Sequence, residues 1–240
     1  MEIVKYYIIN LEHRTDRKEI AEKYMKAAGI ENYEFFKAVH HKEFTEEFIQ
    51  DMVYGRKYHH RVKSETAKRA SLGCGTSHLR LMKKILNEYG NTGDKAFVIL
   101  EDDFHLHDES SFVNKIKEGL KIIPTDWELL YLGDMGKEHT DRTEKFLPGI
   151  DKANDVWGTH GYIIRNLREF VNKFEILYED GYLADRAFRK MIRDDKKNLH
   201  KYLIFRPYLA VQWQSYSDIE EKLFPHSNFK HKFVNDIITK

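Results

Sequence analysis

The stretch Phe97-Val98-Ile99-Leu100-Glu101-Asp102-Asp103 runs four apolar residues directly into three acids. A short unbroken apolar run reads as a strand buried on both faces of a parallel sheet. Carboxylates inside such a strand would lose their hydration without replacement, so they belong at its carboxyl end. That is where an open α/β sheet has the crevice in which it binds ligands. Three acids concentrate negative charge there, and oxygen-only ligands suit hard or borderline ions such as Mg²⁺ or Mn²⁺. The stretch therefore predicts a metal site at a strand end, holding a phosphate-bearing substrate. The plain alternative is a solvated acidic turn, or a cap for a helix opening near Ser110-Ser111-Phe112.

Strand and helix signals alternate on both sides of this stretch. Val4 to Leu11 predicts a first strand, and Arg17 to Ala28 a helix capped by Thr15 or Asp16 and closed by Gly29. Tyr33 to Val39 predicts a second strand. His40 to Arg69 is polar and basic without clean periodicity and reads as a loop-rich insertion at about residues 40–70, with a helix candidate from Phe44 to Val53. Ser71 to His78 reads as the lead into a helix capped by Thr76 or Ser77. Leu79, Met82, Leu86 and Tyr89 form that helix's apolar stripe, and Gly90 ends it. Beyond the acids, Phe112 to Ile123 predicts a helix stopped by Pro124. Trp127 to Leu132 predicts a strand ending at Gly133-Asp134, and Lys137 to Asn154 a polar loop over the site. Trp157 to Arg165 predicts a strand, followed by helices from Leu167 to Tyr178 and from Ala184 to Ile192. Tyr202 to Gln214 carries at least one more strand, with Pro207 marking a bend or an edge. The alternation predicts one α/β domain over residues 1–240, built on a mostly parallel central sheet flanked by helices.

Composition narrows the function. Among 240 residues, 41% are hydrophobic, enough for a core, and 40 Lys and Arg nearly balance 39 Asp and Glu. That balance argues against a general nucleic-acid binder. The run Lys57-Tyr58-His59-His60-Arg61-Val62-Lys63 mixes basic and aromatic residues, but reads better as a loop that orders over a ligand than as a nucleic-acid surface. Cys74 is the single cysteine, so no intrachain disulfide forms. The first residues lack a signal-peptide pattern, and no apolar stretch approaches the roughly 20 residues of a membrane span. The expectation is a cytoplasmic protein without a transmembrane segment.

Six blocks, in order, carry a family resemblance. They are Tyr7 to Arg17 (apolar strand, Asn-Leu, then a basic run closing on Asp-Arg), Leu72 to Arg80 (Gly-Cys-x-x-Ser-His), Val98 to Asp103, Gly158 to Ile164 (Thr-His-x-Tyr), Leu183 to Asp185, and Gln212 to Ile219. Together the chain resembles glycosyltransferase family 25, which contains lipooligosaccharide galactosyltransferases and collagen galactosyltransferase domains. The resemblance implies a GT-A type fold that binds a UDP-sugar donor with Mn²⁺ or Mg²⁺. It also implies inverting transfer of a hexose, galactose first, to a glycan or a hydroxylated protein acceptor.

Carried onto this sequence, the resemblance makes Asp103 the metal ligand with Glu101 beside it, and Asp102 the ribose or sugar contact. Asn10, Arg14 and Arg17 follow the first strand, where a nucleotide would sit, and arginine forks suit phosphate. Ser77 and His78, read as opening a helix, would offer an anion site at its N-terminus. His160 and Gln212 are further donor contacts. Inversion needs a base for the acceptor hydroxyl; Asp185 is the first candidate and Asp134 the second. Two rival readings are a non-catalytic nucleotide-sugar or glycan-binding module and a sugar-phosphate nucleotidylyltransferase. The latter would need a Gly-rich loop after the first strand, where Glu12-His13-Arg14 stands.

Overall fold

Side-chain alternation along the apolar run sets the layers of the molecule. Phe97 and Ile99 face one side of the sheet, while Ala96, Val98 and Leu100 face the other, and all five are fully buried. The computed structural model describes residues 1–55, 64–91, 93–135, 143–165 and 168–212, and the backbone of 216–217 and 222–223. In chain order the elements are β1 (Glu2–Asn10), α1 (Thr15–Ala27), β2 (Tyr33–Lys37), α2 (Glu46–Ile49), α3 (Glu65–Tyr89), β3 (Lys95–Glu101), β4 (Phe104–Leu106) and α4 (Glu109–Ile122). They continue with β5 (Leu129–Tyr131), β6 (Thr143–Leu147), β7 (Ile150–Ala153), β8 (Gly161–Arg165), α5 (Arg168–Glu179), α6 (Ala184–Asp194), β9 (Tyr202–Phe205) and β10 (Ala210–Gln212). No helix among the described residues is long and apolar enough to cross a membrane.

Eight strands form one sheet in the order β2-β1-β3-β8-β5-β9-β7-β6. β1 pairs parallel with β2 and β3, β5 pairs parallel with β9, and β8 runs antiparallel to both β3 and β5. β7 is antiparallel to β9 and β6, so only β8 and β7 oppose the common direction. The mostly parallel central sheet with flanking helices is thus the architecture the alternation predicts. α1 and α4 cover the face of Val98 and Leu100, and α3, α5 and α6 cover the face of Phe97 and Ile99. The carboxyl ends of β1, β3 and β5 lie at one edge, which positions the site.

Several local expectations give way. α1 begins at Thr15 after Arg14, with no side-chain cap, so neither Thr15 nor Asp16 acts as one. Within the segment read as loop-rich, the helix candidate from Phe44 to Val53 stands as α2, capped by Thr45, and a π-turn at Gln50–Tyr54, but the segment also carries the first turn and a half of α3, capped by Ser64. The Lys57–Lys63 run lies outside the described residues. α3 runs unbroken through Gly73 and Gly75, where the sequence reading placed a helix start. Tertiary contact overrides the low helix propensity of glycine here: a Cβ on Gly73 would meet the Val39 carbonyl oxygen at 2.6 Å, and one on Gly75 the Tyr178 ring at 3.0 Å. The described part of the Lys137–Asn154 loop is the β6–β7 hairpin. Its outer strand is half-buried to exposed and lacks an apolar alternation, and the Pro148-Gly149 turn is the signal that marks it.

Phe188 of α6 is fully buried within a ring of aromatics, its centroid 5.0 Å from Tyr162, 5.2 Å from Phe174, 5.7 Å from Phe170 and 6.3 Å from Tyr131. Removing it leaves a cavity between α5, α6 and the sheet. Phe188→Ala is expected to cost about 3–5 kcal/mol, read as a lower urea midpoint with unchanged slope.

Candidate active site

The three acids divide at the end of β3. Glu101 continues the register of Phe97 and Ile99 and faces α3. Asp102 and Asp103 lie in the turn between β3 and β4, so they do not point to opposite sides as adjacent strand residues would. Both meet one guanidinium. Arg17 Nη1 donates to Asp102 Oδ1 at 2.6 Å and stands 3.6 Å from Asp103 Oδ2, with all three side chains at most 8% exposed. Asn10, the last residue of β1, donates to the second oxygen of Asp102 at 2.8 Å and to the Arg14 carbonyl at 3.2 Å. The Asp102 amide donates to the Ile9 carbonyl, which pins the turn to β1.

Asp103 is held from the other side. Gln212 Nε2 donates to its Oδ2 at 2.9 Å, while its Oδ1 is buried with no hydrogen-bond partner among the described residues. β10 brings Gln212 there by pairing with β4, opposite Phe104. Gly133 allows this approach, since a Cβ on it would fall 2.0 Å from the Ala210 carbonyl oxygen. Burial pushes the Asp103 carboxyl up to about 7, with Arg17 opposing and Glu101 and Asp102 adding to the rise. Burial likewise raises Asp102 against the pull of Arg17 and Asn10.

Glu101 has different partners. Its Oε1 accepts from Thr159 and lies 3.1 Å from His78 Nε2. Burial works to raise its pKa, yet these two contacts hold it below the ordinary value. His78 is fully buried in mid-helix, with Nδ1 2.8 Å from the Tyr162 hydroxyl. Ser77 donates to the Gly73 carbonyl at 2.7 Å and accepts the Val39 amide at 2.8 Å, tying α3 to the chain beyond β2. Ser77 and His78 therefore do not open a helix, and the anion site drawn from that reading is withdrawn. A helix N-terminus binds anions through amides that are unpaired, and twelve residues of α3 precede Ser77.

A cleft of about 520 Å³ opens over these groups, lined by Arg17, Cys74, His78, the three acids and Gln212. Its lining includes His13, His40 and His41; the His13 ring meets His40 edge-on with centroids 5.5 Å apart, and the His40 and His41 rings are tilted with centroids 4.4 Å apart. The sequence reading missed these histidines, because nothing in their spacing distinguishes them from surface residues. Arg14 sits at the start of α1, where its guanidinium grips Asp16 through two bonds of 3.0 and 2.9 Å. His160 is buried, with Nε2 3.4 Å from the Ala210 carbonyl, and burial lowers its pKa; it packs as a core residue under β10.

Asp134 follows β5, and Asp185 lies at the start of α6; neither is among the residues lining the cleft. Asp134 is fully buried, and one carboxylate oxygen accepts the Met135 amide at 2.7 Å and the Trp157 amide at 2.9 Å. Asp185, in the first turn of α6, accepts the Arg186 amide at 2.8 Å; burial raises its pKa, and the charge of Glu101 adds to the rise. One turn later, Arg189 stacks 3.4 Å over the half-buried Trp157 ring and pairs with Asp155 at 2.6 Å. Gln214 and the segment Asp218-Ile219 lie outside the described residues.

Residues 3–175 match the model of glycosyltransferase family 25, described as LPS biosynthesis protein. The chain belongs to that family. A protein of Acanthamoeba polyphaga mimivirus named as a glycosyltransferase, R655, is 31% identical over 133 residues, covering 55% of this chain and 38% of the relative. Procollagen galactosyltransferase 1-B of Xenopus laevis is 27% identical over 186 residues, covering 72% of this chain and 28% of the relative. The chain thus spans well under half the length of these curated relatives. The crystal structure of a glycosyltransferase involved in glycosylation of the major capsid of PBCV-1 covers 92% of this chain and 97% of its own, with a TM-score of 0.49 and 10% identity. Within this family 25 chain, five of the six resembling blocks contribute side chains to the same strand-end region: the first through Asn10 and Arg17, the second through His78, the third through the acids, the fourth through Thr159 and Tyr162, and the last through Gln212.

Arg17 is the buried cation that pairs with Asp102 and Asp103, so its loss leaves two buried carboxylates without their ion-pair partner. Arg17→Met is expected to cost about 3–5 kcal/mol of folding stability. Adding Asp102→Asn should restore part of it, checked by chemical denaturation of the single and double variants.

Proposed function

We propose that this family 25 domain is a metal-dependent, inverting hexosyltransferase that uses a UDP-sugar, with galactose the first donor to test. The observation that carries this reading is Asp103. One of its oxygens is buried without a partner, inside a cleft at the carboxyl ends of two parallel strands. An orphaned carboxylate oxygen of raised pKa fits a divalent cation, Mn²⁺ or Mg²⁺, whose ligands are oxygens. Asp103 would hold the ion, which when bound stabilises negative charge developing on a departing diphosphate.

The remaining groups take roles that need no ion. Arg17 neutralises Asp102 and fixes the turn. Asp102, with two oxygens and spare lone pairs beyond its bonds to Arg17 and Asn10, accepts from a ribose or sugar hydroxyl. The imidazoles of His13, His40 and His41 offer ring faces and edges for contact with the nucleobase. Asp185 takes the proton from the acceptor hydroxyl as that oxygen attacks the anomeric carbon and the bond to diphosphate breaks. Its burial raises its basicity, and the Arg186 amide orients it. Asp134 is the lesser candidate, because its bonds to two backbone amides give it the role of holding the Trp157 loop. The names of the procollagen galactosyltransferase relatives support galactose and a protein acceptor; the family description supports a glycan acceptor.

The test is nucleoside diphosphate release from a panel of UDP- and GDP-sugars, with and without Mn²⁺. Metal-dependent release from one donor is expected. Donor binding without turnover would favour a non-catalytic module, and neither binding nor turnover would overturn the reading. Asp103→Asn should abolish the metal-dependent rate. Asp185→Asn should keep donor affinity and lose about 10²–10⁴-fold in transfer; normal transfer by that variant would remove Asp185 as the base.

A further inference from the structure

Three side chains on the α3 wall of the cleft carry a chemistry that the acidic turn does not need. Cys74 and His78 are four residues apart on α3 and so share one helix face. Glu101 meets them from the end of β3. One ligand atom from each, a sulfur, an imidazole nitrogen and a carboxylate oxygen, all lie within 4.8 Å of one another. The three residues line the cleft.

The imidazole is set as a metal-bound histidine is set. One ring nitrogen is engaged by a fixed neighbour, the Tyr162 hydroxyl at 2.8 Å, and the other is aimed at Glu101 at 3.1 Å. Thr159 holds the Glu101 oxygen in turn. Burial first, and then the charges of Glu101, Asp185 and Asp103, hold the Cys74 thiol above its ordinary pKa, and those three acids set negative charge around the sulfur. A sulfur, nitrogen and oxygen donor set suits Zn²⁺ better than the hard ions that fit Asp103.

We propose that Cys74, His78 and Glu101 form a second cation site, for Zn²⁺, separate from the Asp103 carboxylate. Three protein ligands leave the fourth tetrahedral position to water. Binding turns the Cys74 thiol into a thiolate and releases one proton per ion. The ion takes the place of the hydrogen bond between His78 and Glu101, while Nδ1–H donates to Tyr162. The site shares its wall with the donor cleft, so its occupancy makes donor turnover sensitive to zinc. The binding claim rests on the three side chains alone and stands whether or not the sugar reading does.

Cobalt(II) is the probe, added to the reduced protein without oxygen. One equivalent should produce a thiolate-to-cobalt charge-transfer band in the near ultraviolet, displaced by Zn²⁺. Because the chain holds a single cysteine, the band reports Cys74 and nothing else. The band should be absent in Cys74→Ser and persist in Asp103→Asn. Tyr162→Phe should weaken zinc binding by roughly 10–100-fold. No band from the wild-type protein at stoichiometric cobalt would overturn the proposal, as would a band lost in a folded Asp103→Asn variant. If Cys74→Ser fails to fold, the wild-type titration still decides, since no other thiol is present.

Discussion

The Arg17 guanidinium holds two buried carboxylates at the end of β3, and the site's geometry depends on that contact. Asp102 and Asp103 are adjacent, desolvated and alike in charge, an arrangement that water-free surroundings disfavour strongly. Arg17 makes it tolerable by standing between β1 and the turn, 2.6 Å from one acid and 3.6 Å from the other. It reaches there because α1 starts immediately after β1 and packs on the face shared with Val98 and Leu100. The chain order strand, basic run, helix is therefore part of the electrostatics, not only of the topology.

One cation does not balance two anions, and the imbalance points outward. Asn10 and Gln212 supply neutral donors, so the cluster carries excess negative charge at the cleft once both carboxyls are ionised. An anionic nucleotide would be repelled by that excess. In the proposed reading, a divalent ion reverses the sign before the diphosphate arrives, and the carboxylate oxygen left without a partner is where it would enter. The cluster would then be strained when empty and satisfied when loaded, as a site that binds an ion together with its substrate should be.

The architecture was readable because its signals are local. The Phe97–Leu100 run, the Leu79-Met82-Leu86 stripe and the Gly90 stop each describe a single element, and all of them stand in the fold. What was misread depended on distant partners. Gly73 and Gly75 look like helix breakers until Val39 and Tyr178 are seen pressing on them. Ser77 looks like a cap until its hydroxyl is found holding the Val39 amide. The pairing of Arg17 with Asp102 joins residues 85 apart in sequence, and Gln212 meets Asp103 from 109 residues away. No spacing rule reports such contacts. Block order alone signalled that these residues converge.

The division of Glu101 from its two neighbours follows from the strand itself. Because β3 alternates, position 101 belongs to the face of Phe97 and Ile99 and must look toward α3, where His78 and Cys74 wait. The chain then turns, and Asp102 and Asp103 fall on the other side of that boundary, toward Arg17. A three-acid run that reads in sequence as one site is thus two environments. One is governed by an arginine and built of oxygens. The other is governed by a buried imidazole and has a thiol beside it. The pleat that buries the apolar run assigns Glu101 its partners, and the turn that ends the strand at position 101 assigns those of Asp102 and Asp103.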